Sequence, residues 1–250
     1  MRLALPARAK LNLDLVVVGR RADGYHDVRT TLQAIDLHDV LDMQVASTTT
    51  ITASGLDVVT DERSSVVKAQ RLLERAVGRA LPTAFHIEKR VPSGAGLGGA
   101  SSDAAVALRG LAAIHGIDVE LAPVARQVGA DVVFFLAGGR ALAEGRGDVL
   151  HAQPVAPAWF VVAWPGFEVL TPDVYRAWDE VGGEGPNHLR RAAEKVEPRL
   201  REFAASLGDG WQMTGSGSAF FKPFAGRVSA EEAAAHVDGW RAVAHTVGAW

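Results

Sequence analysis

A chain of 250 residues with 48% hydrophobic and 22% charged residues is typical of a folded protein with one large or two modest domains, which excludes a disordered or fibrous chain. A formal net charge of −3, with Lys and Arg scattered along the chain, argues against nucleic acid as a partner. The absence of cysteine excludes disulfides, thiolate metal sites and a cysteine nucleophile.

The N-terminal segment is predicted to belong to the folded protein. Basic residues precede an apolar stretch, as in a signal peptide, but Asn12 and Asp14 interrupt that stretch and no small-residue cleavage site follows. No apolar run approaches the roughly 20 residues that a membrane helix needs. We therefore expect no membrane partner and, by default, a cytoplasmic protein.

Hydrophobic spacing and turn residues predict seven elements before residue 132. They are strands at 11–18, 28–37 and 43–53, a helix at 64–81, a strand at 84–91, and helices at 103–115 and 120–129. On the first strand, Lys10, Asn12 and Asp14 share the polar face. Ser64 or Ser65 is expected to cap the first helix.

A turn-rich stretch with prolines at 151–158 predicts a boundary between two domains, at 1–152 and 153–250. The elements after it are strands at 159–165, 211–214, 219–224 and 241–247, and helices at 173–181, 187–207 and 229–237. With two helices in the first crossover, this is the β-α-β-β-α-β order of the split βαβ, ferredoxin-like pattern. We therefore predict an α+β protein of two domains.

Residues 92–102, PSGAGLGGASS, form a glycine-rich loop directly before a predicted helix. Glycines let backbone N–H groups approach a ligand, and the helix N-terminus adds unpaired donors and the positive end of its dipole. Ser101 and Ser102 are expected at the N-cap, where a hydroxyl can also bind a phosphate oxygen or help to hold Mg²⁺. On glycine content alone, a phosphate site and a capped helix without a ligand are equally open.

Two familiar phosphate-binding motifs do not fit this loop. Gly94, Gly96 and Gly99 spell G-x-G-x-x-G, but residues 112–118 do not form the second apolar strand that a Rossmann site requires. The glycine spacing also matches a P-loop, but Ala100 stands where that motif needs lysine. If phosphate binds here, its lysine must come from elsewhere in the chain.

Five segments together resemble the GHMP kinases: AKLNLDL, RRADGYH, PSGAGLGGASSDAA, GADVVFFLAGG and TGSGSAFF, in order over residues 9–221. The glycine–serine loop marks the superfamily, whereas the first two segments are similar to the narrower branch that phosphorylates a cytidyl diphosphate sugar alcohol. The resemblance implies GHMP kinase architecture, with an N-terminal domain folded like the second domain of ribosomal protein S5 and a ferredoxin-like C-terminal domain.

The resemblance also implies ATP and Mg²⁺ as cofactors and a cytidyl diphosphate sugar alcohol as the small-molecule substrate. In that reading Lys10 neutralises charge on the transferring phosphoryl group and Asp131 accepts the hydroxyl proton. The ordinary alternatives are a solvated edge lysine and a helix N-cap. The implied ATP-binding residues are Pro92, Ser93, Gly94, Ala95, Gly96, Leu97, Gly98, Gly99, Ala100, Ser101 and Ser102.

Contacts to the cytidyl substrate are implied for Asn12, Tyr25, His26 and Tyr175, since aromatic faces stack on bases and ring nitrogens read base edges. For Tyr25 and His26 the ordinary alternative is an exposed pair after a turn. A further substrate contact is expected from the hydroxyl of Thr171, as a loop residue. The metal ligands are left open, and His86, His115, His188 and His245 lack metal-ligand spacing with one another.

The sequence departs from the family pattern at three places. Val133 stands where proline is usual, Ala100 where glycine is common, and residues 145–148 read GRGD for G-x-G-E. None of these removes a reactive group, although Val133 leaves the local backbone open. Two alternatives follow: another GHMP kinase, of mevalonate or homoserine type, against which RADGYH argues, or a catalytically silent nucleotide-binding protein of the same fold, against which Lys10 and Asp131 argue.

Overall fold

A computed structural model describes residues 2–250, which form two β-sheets and eight helices. The first sheet contains β1 (Arg2–Asn12), β2 (Val16–Arg20), β3 (His26–Val45), β4 (Thr50–Gly55), β5 (Thr83–Lys89), β6 (Arg140–Glu144) and β7 (Val149–Gln153). β3, of 20 residues, pairs antiparallel with β1, β2, β5 and β6. Its middle, residues 30–35, is buried on both faces, which places this strand between two apolar layers.

Four helices cover one face of this sheet: α1 (Ser65–Val77), α2 (Gly99–His115), α3 (Ala122–Val128) and α4 (Ala130–Ala137). Ser64 is the N-cap residue of α1, but its side chain makes no capping hydrogen bond. α2 packs against β1, α1 and α4. Ala104, Ala105 and Ala107 are fully buried, because small side chains let the helix lie close to the strand beneath it. The α2 helix ends at Gly116, whose left-handed conformation stops it.

The second sheet has the strand order β11-β8-β10-β9, formed by β8 (Trp159–Trp164), β9 (Gln212–Met213), β10 (Phe220–Phe224) and β11 (Trp240–His245). All of its pairings are antiparallel. Its helices are α5 (Thr171–Val181), α6 (Arg190–Val196), α7 (Arg199–Leu207) and α8 (Arg227–Ala234). This arrangement confirms the predicted ferredoxin-like order and the α+β class.

An apolar cluster joins the two sheets. It contains Leu11 of β1, Leu97 of the glycine loop and Ile35 of β3, together with Phe160 and Phe221 of the second sheet. The cluster fixes the end of β1 and the glycine loop against the C-terminal part of the chain. The predicted boundary stretch is partly regular, since β7 continues to Gln153, and the boundary between residues 152 and 153 stays a prediction.

The strand predicted at 11–18 is interrupted, which corrects the expectation of one continuous strand. β1 ends at Asn12 and β2 begins at Val16. Between them, the Asp14 carboxylate accepts the backbone N–H of Thr31 at 2.7 Å and its hydroxyl at 2.8 Å. A side chain that bonds a neighbouring strand's backbone competes with regular ladder pairing, and this explains the break.

Two further predicted elements are also divided. The strand predicted at 43–53 reverses at residues 46–49, so that its halves belong to β3 and β4. The helix predicted at 187–207 is split into α6 and α7 at Pro198, where the ring removes a backbone donor. None of the helices in residues 2–250 combines the length and apolar character that crossing a bilayer requires.

Candidate active site

The glycine loop lies in a cleft of about 850 Å³, which is lined by strands of the first sheet and, from the C-terminal part of the chain, by α5 and the turn at residues 215–216. Gly96 has φ +76°, and a Cβ there would lie 2.3 Å from the backbone oxygen of Thr214. Gly98 has φ +72°, and its Cβ would lie 2.7 Å from the ring of Phe135. Both positions therefore require glycine for conformation and for space.

Backbone hydrogen bonds hold the loop on both sides. The N–H of Lys10 donates to the oxygen of Leu97 at 2.9 Å, and the N–H of Ala219 donates to the oxygen of Ala95 at 3.0 Å. One donor comes from β1 and the other from the segment that enters β10. The loop is thus clamped between the N-terminal and C-terminal parts of the chain.

The α2 helix begins earlier than predicted, and the expected N-cap at Ser101 or Ser102 is wrong. The N-cap residue is Gly98, because its left-handed backbone turns the chain into the helix at that point. Ser102 lies one turn inside, where its N–H donates to the oxygen of Gly98 at 2.9 Å. No side chain caps the helix, so the N–H groups of its first turn lack intrahelical partners where Gly99 and Ser101 line the cleft.

Lys10 points from β1 toward the loop and is only 4% exposed. Its Nζ donates to the backbone oxygen of Gly96 at 2.7 Å and to Asn12 Oδ1 at 2.5 Å. Burial lowers the pKa of Lys10 below its ordinary value, and the nearby Asp131 carboxylate opposes that shift. The alternative of a solvated edge lysine is therefore wrong: the ammonium is enclosed and aimed at the loop.

The Asp131 carboxylate lies beside this ammonium, with Oδ2 3.9 Å from Lys10 Nζ. Asp131 is in the first turn of α4, whose N-cap residue is Gly129, so Asp131 does not cap the helix. Its side chain is 39% exposed and lines the cleft. Val133, which departs from the family pattern, lies inside the same helix. A cation and a carboxylate thus meet at the glycine loop.

A buried ionic triad supports the loop from behind. Lys89 Nζ, at the end of β5, donates to Asp39 Oδ2 at 2.5 Å and to Asp103 Oδ2 at 2.9 Å. Asp39 Oδ1 also accepts the backbone N–H groups of Arg90 and Val91 at 2.7 and 2.8 Å. Because these groups lie on β3, β5 and α2, the triad fixes the strand that leads into the loop relative to the helix that leaves it.

Burial, together with the negative charge of Asp39, raises the pKa of Asp103 to about 7, although Lys89 opposes the shift. The pKa of Lys89 is raised by the two carboxylates in spite of its burial. Below about pH 7 the folded protein therefore holds a proton on Asp103 that an unfolded chain releases near pH 3.8. Stability is expected to fall as the pH rises through this window.

Asp103→Asn is expected to remove this part of the pH dependence. The wild type should have a lower urea midpoint at about pH 7.5 than at about pH 5.5, and the variant should show a clearly smaller difference. Asp61→Asn is the matched control, since Asp61 is exposed and paired with Arg63. The hydrogen bond from Arg63 lowers the pKa of Asp61 instead of raising it. If the urea midpoint of Asp103→Asn changed between the two pH values as much as that of the wild type, the raised pKa of Asp103 would be contradicted.

The predicted substrate residues His26 and Tyr175 lie together. Their rings stack with centroids 4.9 Å apart and an angle of 20°, and Trp178 meets the His26 ring edge-on at 5.4 Å. His26 Nε2 lies 2.7 Å from Asp179 Oδ1. Burial, with the negative charge of Asp131, raises the pKa of Tyr175 to about 12, so its phenol stays neutral. The His26 and Tyr175 rings line the cleft as its aromatic wall.

Tyr25 does not join this stack. Its ring is 54% exposed at the rim of the cleft, with the Arg146 guanidinium 3.7 Å from its centroid. Asn12 is buried, donates to the hydroxyl of Thr30 at 2.7 Å and accepts the Lys10 ammonium. Its amide is therefore occupied in orienting Lys10.

Contrary to the expectation of a loop residue, Thr171 is the first residue of α5. Its hydroxyl hydrogen-bonds that of Ser216 at 2.7 Å, across the cleft-lining turn at residues 214–218. The Thr171 side chain therefore ties α5 to this turn. Both side chains line the cleft.

Four charged side chains at the cleft escaped the sequence analysis: Arg20, Arg146, Arg176 and Asp179. The arginines come from β2, from the turn between β6 and β7 and from α5, and no local pattern predicts their convergence. Asp179 did leave a signal, because it follows Tyr175 by one helical turn and so lies on the same helix face. The cleft rim is thus richer in positive charge than the chain as a whole.

Known proteins are similar to this chain in sequence and in fold. Residues 64–139 match the family described as GHMP kinases N terminal domain. A 4-diphosphocytidyl-2-C-methyl-D-erythritol kinase of Chromobacterium violaceum is 39% identical over 91% of this chain and 88% of its own. A crystal structure of 4-(cytidine 5'-diphospho)-2C-methyl-D-erythritol kinase has a TM-score of 0.83 at 35% identity, over 98% of this chain and 100% of that one. A homoserine kinase from Cytophaga hutchinsonii, with a TM-score of 0.71 at 16% identity over 99% and 95%, shares the fold alone.

Proposed function

Because the chain belongs to the GHMP kinases, and within them to the 4-diphosphocytidyl-2-C-methyl-D-erythritol kinases, we propose that it phosphorylates the 2-hydroxyl of 4-diphosphocytidyl-2-C-methyl-D-erythritol with ATP. The observation that carries the proposal is the approach of Lys10 and Asp131 to 3.9 Å beside the glycine loop. The reaction belongs, on this proposal, to non-mevalonate isoprenoid precursor synthesis in the cytoplasm.

The loop and the start of α2 bind the ATP phosphates. The first-turn N–H groups of α2 have no intrahelical partners, and the positive end of the helix dipole favours an anion at the same place. Lys10 adds a full positive charge held on the Gly96 oxygen. Its fixed position stabilises the charge of the transferring phosphoryl group without reorganisation.

Asp131 accepts the proton of the substrate hydroxyl. The hydroxyl oxygen forms a bond to the γ-phosphorus, the bond from that phosphorus to the bridging oxygen of ADP breaks, and the proton passes to the carboxylate. The partial exposure of the Asp131 side chain in the cleft leaves it accessible to a bound hydroxyl. During the transfer, the Lys10 ammonium next to Asp131 stabilises the negative charge of the phosphoryl group.

Mg²⁺ fits this site as an ion that arrives with ATP. Residues 2–250 contain no group of three or more His, Asp or Glu side chains placed to hold a metal, and Mg²⁺ bound with phosphates needs only one or two protein oxygens. The Ser101 hydroxyl, which lines the cleft, would supply one of them. When bound, the ion would neutralise phosphate charge.

The aromatic wall supports recognition of the cytidyl group. His26 offers a ring edge and Tyr175 a fixed face, and base stacking on such faces is favourable. The guanidinium of Arg146 lies at the rim and suits the diphosphate that follows the base. Asn12 contributes by holding Lys10.

A substrate panel tests the proposal. Coupled ADP release should occur with 4-diphosphocytidyl-2-C-methyl-D-erythritol and not with mevalonate, homoserine or galactose. Turnover of one of the other three alone would overturn the substrate assignment in favour of another GHMP kinase activity. ATP binding without turnover of any of the four would support the catalytically silent alternative.

A further inference from the structure

His26 is held at one ring nitrogen by a carboxylate that the sequence analysis did not identify. Its Nε2 lies 2.7 Å from Asp179 Oδ1, while Asp179 Oδ2 lies 3.3 Å from Arg20 Nη1. The His26 side chain is 5% exposed, with Tyr175 stacked on its face and Trp178 against it edge-on. The ring is therefore fixed in orientation by packing and by Asp179 together.

This contact decides where the imidazole carries its proton. A neutral histidine has one N–H and one lone pair, and an ionised carboxylate only accepts hydrogen bonds. The hydrogen bond to Asp179 therefore places the proton on Nε2. Within residues 2–250 the side chain of His26 makes no other hydrogen bond, so its Nδ1 lone pair is free for a ligand in the cleft.

We propose that Asp179 is a positioning residue that fixes His26 as a hydrogen-bond acceptor at Nδ1 and thereby selects cytosine over uracil. This inference rests on the proposed function. The amino group is the N–H donor on the pairing edge of a cytosine, and uracil presents a carbonyl oxygen in its place. A lone pair on Nδ1 therefore bonds the amino group of cytosine and repels the corresponding oxygen of uracil.

The test compares the cytidine and uridine diphosphate forms of the same sugar alcohol at one mildly alkaline pH. The wild type should prefer the cytidine form in kcat/KM. Asp179→Ala should lower that preference by about tenfold or more, through a higher KM for the cytidine form with kcat little changed. Asp179→Glu should restore part of the preference.

Glu180→Ala is the matched control, because Glu180 is the next residue on α5 and pairs with Lys195 on the outside of the molecule. It should keep the wild-type preference. A thermal midpoint for each variant separates loss of the fold from loss of selectivity. An unchanged preference in folded Asp179→Ala would overturn the inference.

A measurement without turnover completes the test. In ¹⁵N NMR spectra, the His26 resonances, assigned with His26→Gln, should show the Nε2–H form in the wild type and a shift toward Nδ1–H in Asp179→Ala. Cytidine diphosphate should also bind more tightly than uridine diphosphate. If the wild type phosphorylates neither substrate, the proposed function fails while these two readouts still decide the inference. An Nδ1–H form in the wild type would overturn it.

Discussion

Asp131→Asn is expected to lower kcat by roughly 10² to 10⁴ with little change in the affinity for ATP. The amide has nearly the same shape as the carboxylate, but it does not take up a proton. Asp131 lies in the first turn of α4 without capping it, so the helix loses little from the change. Steady-state kinetics gives kcat, and titration calorimetry with a non-hydrolysable ATP analogue gives the affinity.

Asp118→Asn is the matched control for this variant. Asp118 is an exposed carboxylate beyond the end of α2 and does not line the cleft. Its substitution should leave kcat near the wild-type value. A full-rate Asp131→Asn enzyme would remove the carboxylate from the mechanism, and equal losses in both variants would point to a general effect of charge.

Lys10→Met is expected to lower kcat by about 10² to 10³, the usual worth of one fixed donor at a developing charge. Methionine keeps the length of the side chain but lacks its charge. It also leaves the Gly96 oxygen and Asn12 Oδ1 without the ammonium they share, so a lower thermal midpoint should accompany the loss. Steady-state kinetics on the purified protein gives kcat, and thermal unfolding gives the midpoint.

The pH profile provides a second readout for Lys10. Because burial lowers the pKa of this ammonium, the wild-type rate should decline on the alkaline side at a lower pH than an ordinary lysine would give. The residual rate of Lys10→Met should lack that decline. Lys222→Met is the control, since Lys222 bonds only a surface carbonyl, that of Asp209. A Lys10→Met enzyme with the wild-type rate and profile would exclude the proposed role.

Much of the fold follows from local pattern. The order of elements in the C-terminal part is visible in the sequence because each helix and strand buries one face, and burial sets the spacing of apolar residues. The predicted bounds of elements are wrong where a contact with a residue distant in the sequence decides them. The break after Asn12 depends on the bond of Asp14 to Thr31, a partner in another strand. The start of α2 depends on the left-handed conformation of Gly98, packed under Phe135.

The site is less accessible to sequence reasoning than the fold. The residues themselves favour a phosphate site at the loop no more than an empty turn, and only the resemblance to a family relates Lys10 to Asp131, which the structure has 3.9 Å apart. The contact of Asp179 with His26 spans 153 positions. It exists because α5 packs against the start of β3, and no local periodicity encodes that approach.

The buried triad of Lys89, Asp39 and Asp103 also limits how this protein can diverge over generations. Its three groups touch away from water, so the loss of Lys89 would leave two buried carboxyl groups without their cation, at a cost of about 3 to 5 kcal/mol. A typical domain has only about 5 to 15 kcal/mol of stability in total. Lineages that drift freely on the surface can therefore replace Lys89 only together with its buried partners, and few single mutational steps lead away from this cation.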